Sequence, residues 1–201
     1  MEAMAHELRD RLVAMGPEQA KAFHDILHAY EDLANRYGLW DAANIMKEWC
    51  SDDGFIDFRA WLISQGKEVC LAVLRDPDSL ADVEAYGACC FESLSYVGDC
   101  AYEQLTGQSA YENSDPDSYE KWKAVLIEDI VYRDDISFPQ ATRALPAAHP
   151  RLCAKYGGTE RFNLDGIGWN TDRPEIRLRL EQGKLYDTRR VQSQKRGGET
   201  R

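Results

Sequence analysis

Apolar residues recur every three or four positions through most of the first half of this chain, and that period admits few folds. Between positions 17 and 37 the line Ala20, Phe23, Leu27, Tyr30, Ala34 and Tyr37 keeps the spacing three, four, three, four, three. A 3.6-residue turn puts all six on one face of a helix, and such a face needs neighbouring helices to cover it. The same spacing marks Met4, Leu8, Leu12 and Met15. Gly16-Pro17 ends that first helix and opens the second, because proline suits a first helical turn. Gly38 reads as the stop of the second helix.

The pattern continues. A third helix over 39–49 offers Ala42, Ile45, Met46 and Trp49 on one side. Ser51 then has the chemistry of an N-cap, with Asp52 and Asp53 in a first turn where the helix dipole favours negative charge. Phe55, Phe58, Leu62 and Gln65 follow at helical spacing up to Gly66, and 67–75 forms a short helix bounded by Asp76-Pro77. One turn fits within 77–83. A longer helix over 84–106 carries Cys90, Leu94, Val97, Ala101 and Leu105 as its stripe, and 107–117 has the turn chemistry of a loop.

The second half is less regular. Residues 119–132 read as a helix through Trp122, Leu126 and Ile130, although Ala-Val-Leu-Ile also fits a buried strand. Pro139, Pro146 and Pro150 interrupt the next stretch, and 150–156 is a short helix stopped by Gly157. Residues 171–183 pair helix punctuation with the strand-like alternation Ile176-Arg177-Leu178-Arg179-Leu180. The fold class expected is therefore mostly α: a multi-helix bundle or orthogonal array over 1–157, an irregular C-terminal extension over 158–187 packed on it, and a disordered basic tail over 188–201.

Charge sharpens that division. The 201 residues hold 24 Lys+Arg against 35 Asp+Glu, a formal net charge of −11. Residues 188–201 hold five bases and one acid, +4, which leaves −15 for the rest. The tail has one aliphatic residue, Val191, so it buries too little to offset the cost of ordering. It is either an inert solubilising end or a strap for the acidic body or an acidic partner. A body of this sign repels phosphate, so nucleic acid is not an expected partner. The first residues are acidic without the apolar core of a signal peptide, and no stretch approaches the roughly 18 apolar residues of a membrane span. A soluble cytoplasmic protein is expected.

Catalytic templates are sparse. Cys50, Cys70, Cys89, Cys90, Cys100 and Cys153 include no C-x-x-C pair, a poor fit to zinc or to a disulfide framework and a good one to free, mostly buried thiols. His24 and His28 stand at i and i+4 with Glu31 one turn on, a weak metal candidate, since Asp25 occupies the place where a zincin needs its general base. No nucleophile elbow, Walker loop or dinucleotide G-x-G-x-x-G is present. An EF-hand aligned on Gly54 would put Trp49 and Ala60 at ligand positions.

The most informative stretch is Cys50 to Gly66, CSDDGFIDFRAWLISQG. Asp53 and Asp57 lie four apart, so two like charges share a helix face at a cost of roughly 0.2–0.5 kcal/mol. Such a breach of local pairing fits a working site as well as a structural one in which Arg59 neutralises the cluster and Trp61 packs. The candidate binding residues are Trp40, Asp52, Asp53, Asp57, Arg59 and Trp61.

Leu39-Trp40-Asp41-Ala42-Ala43, this same run, and Asp76-Pro77-Asp78-Ser79-Leu80-Ala81 together resemble the bacterial family catalogued as domain of unknown function 4240. The resemblance extends from about His6 through Ala101-Tyr102-Glu103-Gln104-Leu105-Thr106-Gly107 to Leu152-Cys153-Ala154-Lys155-Tyr156-Gly157. It implies a mostly helical cytoplasmic bacterial domain and brings no established activity, catalytic residue or cofactor. The segment after Gly157 lies outside it.

Two functions are then in contention. The first is a non-enzymatic module that binds or regulates another protein, its acidic surface steering basic partners. The second is a metal-assisted hydrolase or phosphoryl-transfer enzyme in which Asp52, Asp53 and Asp57 hold Mg²⁺ or act as acid and base and Arg59 holds an anionic substrate. No cofactor is expected under the first.

Overall fold

A computed structural model describes residues 1–133, 136 and 142–157. Among them the chain forms α1 (Glu2–Met15), α2 (Pro17–Leu33), α3 (Tyr37–Lys47), α4 (Asp52–Ser64), α5 (Lys67–Arg75), α6 (Glu92–Thr106), α7 (Pro116–Ile127), α8 (Leu145–Ala148) and α9 (Pro150–Tyr156), with short 3₁₀ turns at Pro77–Asp82, Gly87–Cys89 and Thr142–Ala144. No strand occurs among the described residues, so the fold is mostly α; the run 124–127, where a strand was also conceivable, is helical, but the helix expected over 119–132 spans Pro116–Ile127, and 128–132 lie beyond its end. The expected extension over 158–187 and basic tail over 188–201, including the strand-like run at 176–180, lie outside the described residues. No described helix is long and apolar enough to cross a membrane.

α2 and α6 pack along each other, α1 lies across α6, and α4 closes the group from the side. The core gathers where they meet: Trp61, Phe55, Phe58 and Phe91 are at most 1% exposed. Full burial of each such side chain is worth roughly 1.5–3 kcal/mol before the entropy of ordering it. Leu145, Leu152 and Cys153 join the same core, which ties α8 and α9 to the body. Asp78 secures that attachment. Its buried carboxylate accepts the amides of Arg151 (3.0 Å) and Leu152 (2.9 Å), capping the start of α9 from more than seventy residues away.

Local signals set several boundaries. Ser51 Oγ accepts the Gly54 amide at 3.0 Å, as an N-cap should. Gly66, at φ 96°, separates α4 from α5. α5 and α9 occupy the spans their punctuation indicates.

Other boundaries differ. The helix expected over 17–37 breaks after Leu33, because Arg36 turns extended (φ −129°) and stacks its guanidinium 3.9 Å over the Tyr132 ring. The Tyr132 hydroxyl donates to the Leu33 carbonyl at 3.0 Å, taking the place a helical amide would have filled. Tyr37 and Gly38 therefore open α3, and Gly38 is no stop: it is buried against Ile136 and Pro77. α3 itself ends at Lys47, with Glu48 at φ 67°, so Trp49 is 61% exposed. The helix expected over 84–106 starts only at Glu92. Ala88 and Cys89 are left-handed, and the Phe91 amide leaves for the Asp57 carbonyl of α4 at 3.1 Å. Cys90 thus falls off the helical stripe and Leu105 is 38% exposed. Met4 and Met15 likewise face water; Ala5 and Leu12 are the buried residues of α1.

Candidate functional site

The run from Ser51 to Trp61 builds mostly inward. Phe55 stacks on Trp40 (ring centroids 4.7 Å apart, 12° between planes), and Trp61 packs 5.4 Å from Phe58 with no exposure. Trp40 donates from Nε1 to the Cys50 carbonyl at 2.9 Å, while Asn44 Oδ1 accepts the Cys50 amide at 2.9 Å. These two bonds from α3 fix the turn that delivers Ser51 to its capping position. The Trp61 indole N–H is buried without a hydrogen-bond partner.

The four charged candidates on α4 divide. Asp52 and Asp53 are exposed in the first turn. Asp57 accepts from the Cys90 thiol at 3.3 Å, and burial together with that bond raises the Cys90 pKa. Arg59 points the other way. Its Nη1 donates to the Glu31 carbonyl of α2 at 2.6 Å, its Nε donates to the Phe55 carbonyl at 3.3 Å, and its guanidinium lies 5.0 Å from the Phe55 ring centre. Burial lowers the Arg59 pKa, and the charges of Glu31 and Asp32 oppose the shift. Arg59 therefore joins α4 to α2 rather than neutralising the three aspartates.

On the other side of that joint lies the pair His24 and His28. His28 Nδ1 donates to Glu31 Oε2 at 2.8 Å, since a carboxylate only accepts; in the neutral ring Nε2 then accepts the Tyr111 hydroxyl at 3.1 Å. The second Glu31 oxygen accepts Ser95 Oγ of α6 at 2.5 Å. His24 is 4% exposed, edge-on to both His28 and Tyr111 at 4.4 Å, and its Nδ1 has no hydrogen-bond partner. Burial first, then the neighbouring His28 charge, pulls its pKa from 6.5 down to about 4. Burial pushes the Tyr111 phenol up to about 12. His28 and Glu31 are thus spent on each other and on Tyr111 and Ser95, while His24 makes ring contacts only, and no set of three or more His, Cys, Asp or Glu side chains among the described residues is placed to hold a metal ion.

A third feature has no counterpart in the sequence motifs. α1, α2, α4 and α6 leave between them an open cleft of about 340 Å³, lined by the apolar Met4, Leu8, Phe23, Leu27, Ile63 and Leu94 and by the polar Glu7, Arg11 and Ser64. Glu7 and Arg11 pair across one helical turn at 2.5 Å. Met4 is 47% exposed. Periodicity identified most of these apolar residues as helix-packing positions; what it did not indicate is that α1 and α4 fail to close over them. Ser95, Tyr111 and Asp78 also escaped sequence reasoning, because each acts on a residue more than sixty positions away.

All six thiols are free. Cys50, Cys70, Cys89 and Cys153 are buried, Cys90 is half-buried and Cys100 is exposed. Burial raises the pKa of Cys50 and of Cys70 to about 11, which keeps both as inert thiols.

No match was found among curated proteins or among solved structures. The family model described as Protein of unknown function (DUF4240) matches residues 1–104, a shorter span than the resemblance in the sequence motifs, ending inside α6. With that match covering more than half of the 201 residues and including α1 to α5, the central α4 run and the cleft, the chain belongs to the DUF4240 family.

Proposed function

We propose that the protein is a protein-binding, regulatory module that takes apolar side chains of its partner into the cleft between α1, α2, α4 and α6. The observation that carries this reading is the cleft itself: an open, mostly apolar concavity whose lining comes from four helices and includes a half-exposed methionine. Apolar surface of that kind marks interaction sites, and a flexible thioether lets one groove adapt to its occupant. The enzymatic alternative has less support. Arg59, the group meant to hold an anionic substrate, is committed to the Glu31 carbonyl, and none of Asp52, Asp53 and Asp57 lines this cleft.

Affinity capture with the full chain from the cell that encodes it, in low and high salt, tests the proposal when wild type is compared with Met4→Glu. The substituted side chain starts from an exposed position, so the fold is preserved while the cleft is made polar at its mouth. A partner retained by the wild type and lost from the variant is the expected result. Capture identical for the two proteins would remove the cleft from the function.

A further inference from the structure

His24 is closed in from two sides that differ in firmness. On one side α6 passes at Gly98, where a Cβ would already stand 2.8 Å from His24 Cβ and 2.9 Å from its Cα. On the other the imidazole meets Tyr111, edge-on with centroids 4.4 Å apart, from the loop that joins α6 to α7. That loop leaves α6 through Gly107 in the left-handed conformation, φ 73°. Asp99 Oδ1 ties it to α6, accepting Ser109 Oγ at 2.9 Å and the Ala110 amide at 2.6 Å. The Tyr111 hydroxyl ties it to α2, donating to His28 Nε2 at 3.1 Å. Tyr111 is 45% exposed, so the side chain that covers a buried imidazole is itself half in water.

A second proton makes both nitrogens of an imidazole donors. At His24 that would bury a cation whose Nδ1 has no acceptor, with the His28 ring 4.4 Å away. The charged and titratable groups around it are Lys21, Asp25 and His28 from α2, with Glu31 beyond His28, Asp99 from α6 and Tyr111 from the loop. Asp25 and Asp99 favour the charge, but Asp25 is paired with Lys21 and Asp99 already accepts from Ser109 and Ala110. What the cation lacks is water. Displacing Tyr111 admits it for the loss of one hydrogen bond and a ring contact, whereas parting α2 from α6 would undo the packing of two long helices.

We propose that the loop over residues 107–115 is an acid-operated lid: a proton taken up by His24 drives Tyr111 off the surface of α2 and α6 and uncovers His24 and His28 while the helices stay packed. Proton uptake and opening favour each other, because the uncovered imidazole returns to its ordinary value of 6.5 from the value of about 4 that it has under the lid. Those two values raise the open population about twentyfold between pH 7 and pH 5. A pH of 5 lies above the range near 4 in which ordinary carboxylates take up protons, so the effect is separable from acid loss of carboxylate bonds.

The test is amide hydrogen exchange on the full-length protein at pH 7 and pH 5, with each rate divided by its intrinsic rate at that pH. The Ala110 amide should lose protection about twentyfold at pH 5, and at both pH values it should stay less protected than residues 94–101 of α6. His24→Gln cannot take the proton and should hold the Ala110 protection constant to within about threefold. A second measurement does not depend on a substitution in the core. Tyr111→Ala removes the cover from an exposed position, and titration of the imidazole NMR resonances should then find the His24 pKa raised from about 4 toward 6.5. The inference is overturned by wild-type Ala110 protection that is the same at both pH values, by undiminished pH dependence in His24→Gln, or by a His24 pKa left near 4 in Tyr111→Ala. Ala110 protection equal to that of α6 overturns it too, since the fold would then open as a whole.

Discussion

Gly98→Ala sets helix propensity against packing at a single position. Gly98 lies in the middle of α6, where alanine is favoured over glycine by roughly 1 kcal/mol, so propensity alone predicts a more stable protein. The structure predicts the opposite. A Cβ at this site would sit 2.8 Å from His24 Cβ and 2.9 Å from both the Cα and the amide nitrogen of His24. Two of these three atoms are backbone, which has no rotamer to escape into. Restoring an ordinary carbon contact of about 3.5 Å requires α2 and α6 to part by roughly 0.7 Å, enough to forfeit a quarter to a half of the dispersion energy of contacts on either side. Overpacking of this kind costs about 1–3 kcal/mol, and the same separation strains the Ser95 to Glu31 bond that crosses the interface. Set against the propensity gain, the net expectation is a loss of roughly 1 kcal/mol. For a chain of this size that lowers Tm by about 2–4 °C, measured by circular dichroism at 222 nm. A Tm equal to or above that of the wild type would refute the close approach of α2 and α6 on which the arrangement of His24, Glu31 and Arg59 depends.

His24 makes stability fall with acid. Its folded-state pKa lies below the unfolded value, so the unfolded chain binds the extra proton; the contribution is whole above pH 6.5 and is lost as pH falls from 6.5 to about 4. A gap of that width is on the order of 3 kcal/mol, and urea midpoints across the window should steepen for wild type relative to His24→Gln; identical slopes would remove the buried histidine as the cause. Thiol labelling under native conditions should modify Cys100 rapidly, Cys90 slowly, and Cys50, Cys70, Cys89 and Cys153 only after denaturation, so that fast native labelling of Cys70 would contradict its burial.

What was legible in the sequence was legible for local reasons. The Ser51 cap, the Gly66 stop and the Pro150 start each depend on atoms within a few residues, and each stands where its chemistry puts it. Two of the misplaced boundaries have distant causes. α2 stops short because Tyr132 takes the Leu33 carbonyl, and α6 starts late because Phe91 bonds to Asp57; a pattern confined to one segment contains neither partner. The same distinction holds for the candidate site. That His24, His28 and Glu31 share a face follows from helical spacing, but the engagement of Glu31 with Ser95 and of His28 with Tyr111, and hence the loss of these two as free ligands, is settled by α6 and the loop after it.

The run from Cys50 to Gly66 carries the most distinctive sequence in the chain, and its geometry accounts for much of that distinctiveness. Phe55, Phe58, Arg59, Trp61 and Leu62 are all buried, and Arg59 is the residue through which α4 reaches α2. Replacing any of them changes packing between α4 and its neighbours before it changes anything a ligand could meet. Loss of function at Arg59 or Trp61 would therefore say little about chemistry, because Phe or Trp truncation in a core costs about 3–5 kcal/mol and a broken buried charge comparably much. Asp52 and Asp53 are different. They are exposed, and the Ser51 bond that caps α4 uses neither of their side chains. Asp52→Asn and Asp53→Asn each give up only a surface helix-dipole contribution of about 0.3–1 kcal/mol. A defect in those variants with unfolding unchanged would point to recognition or catalysis at the α4 N-terminus, while a defect confined to Met4→Glu would place the working surface at the opposite end of the same helix, where Ile63 and Ser64 enter the cleft.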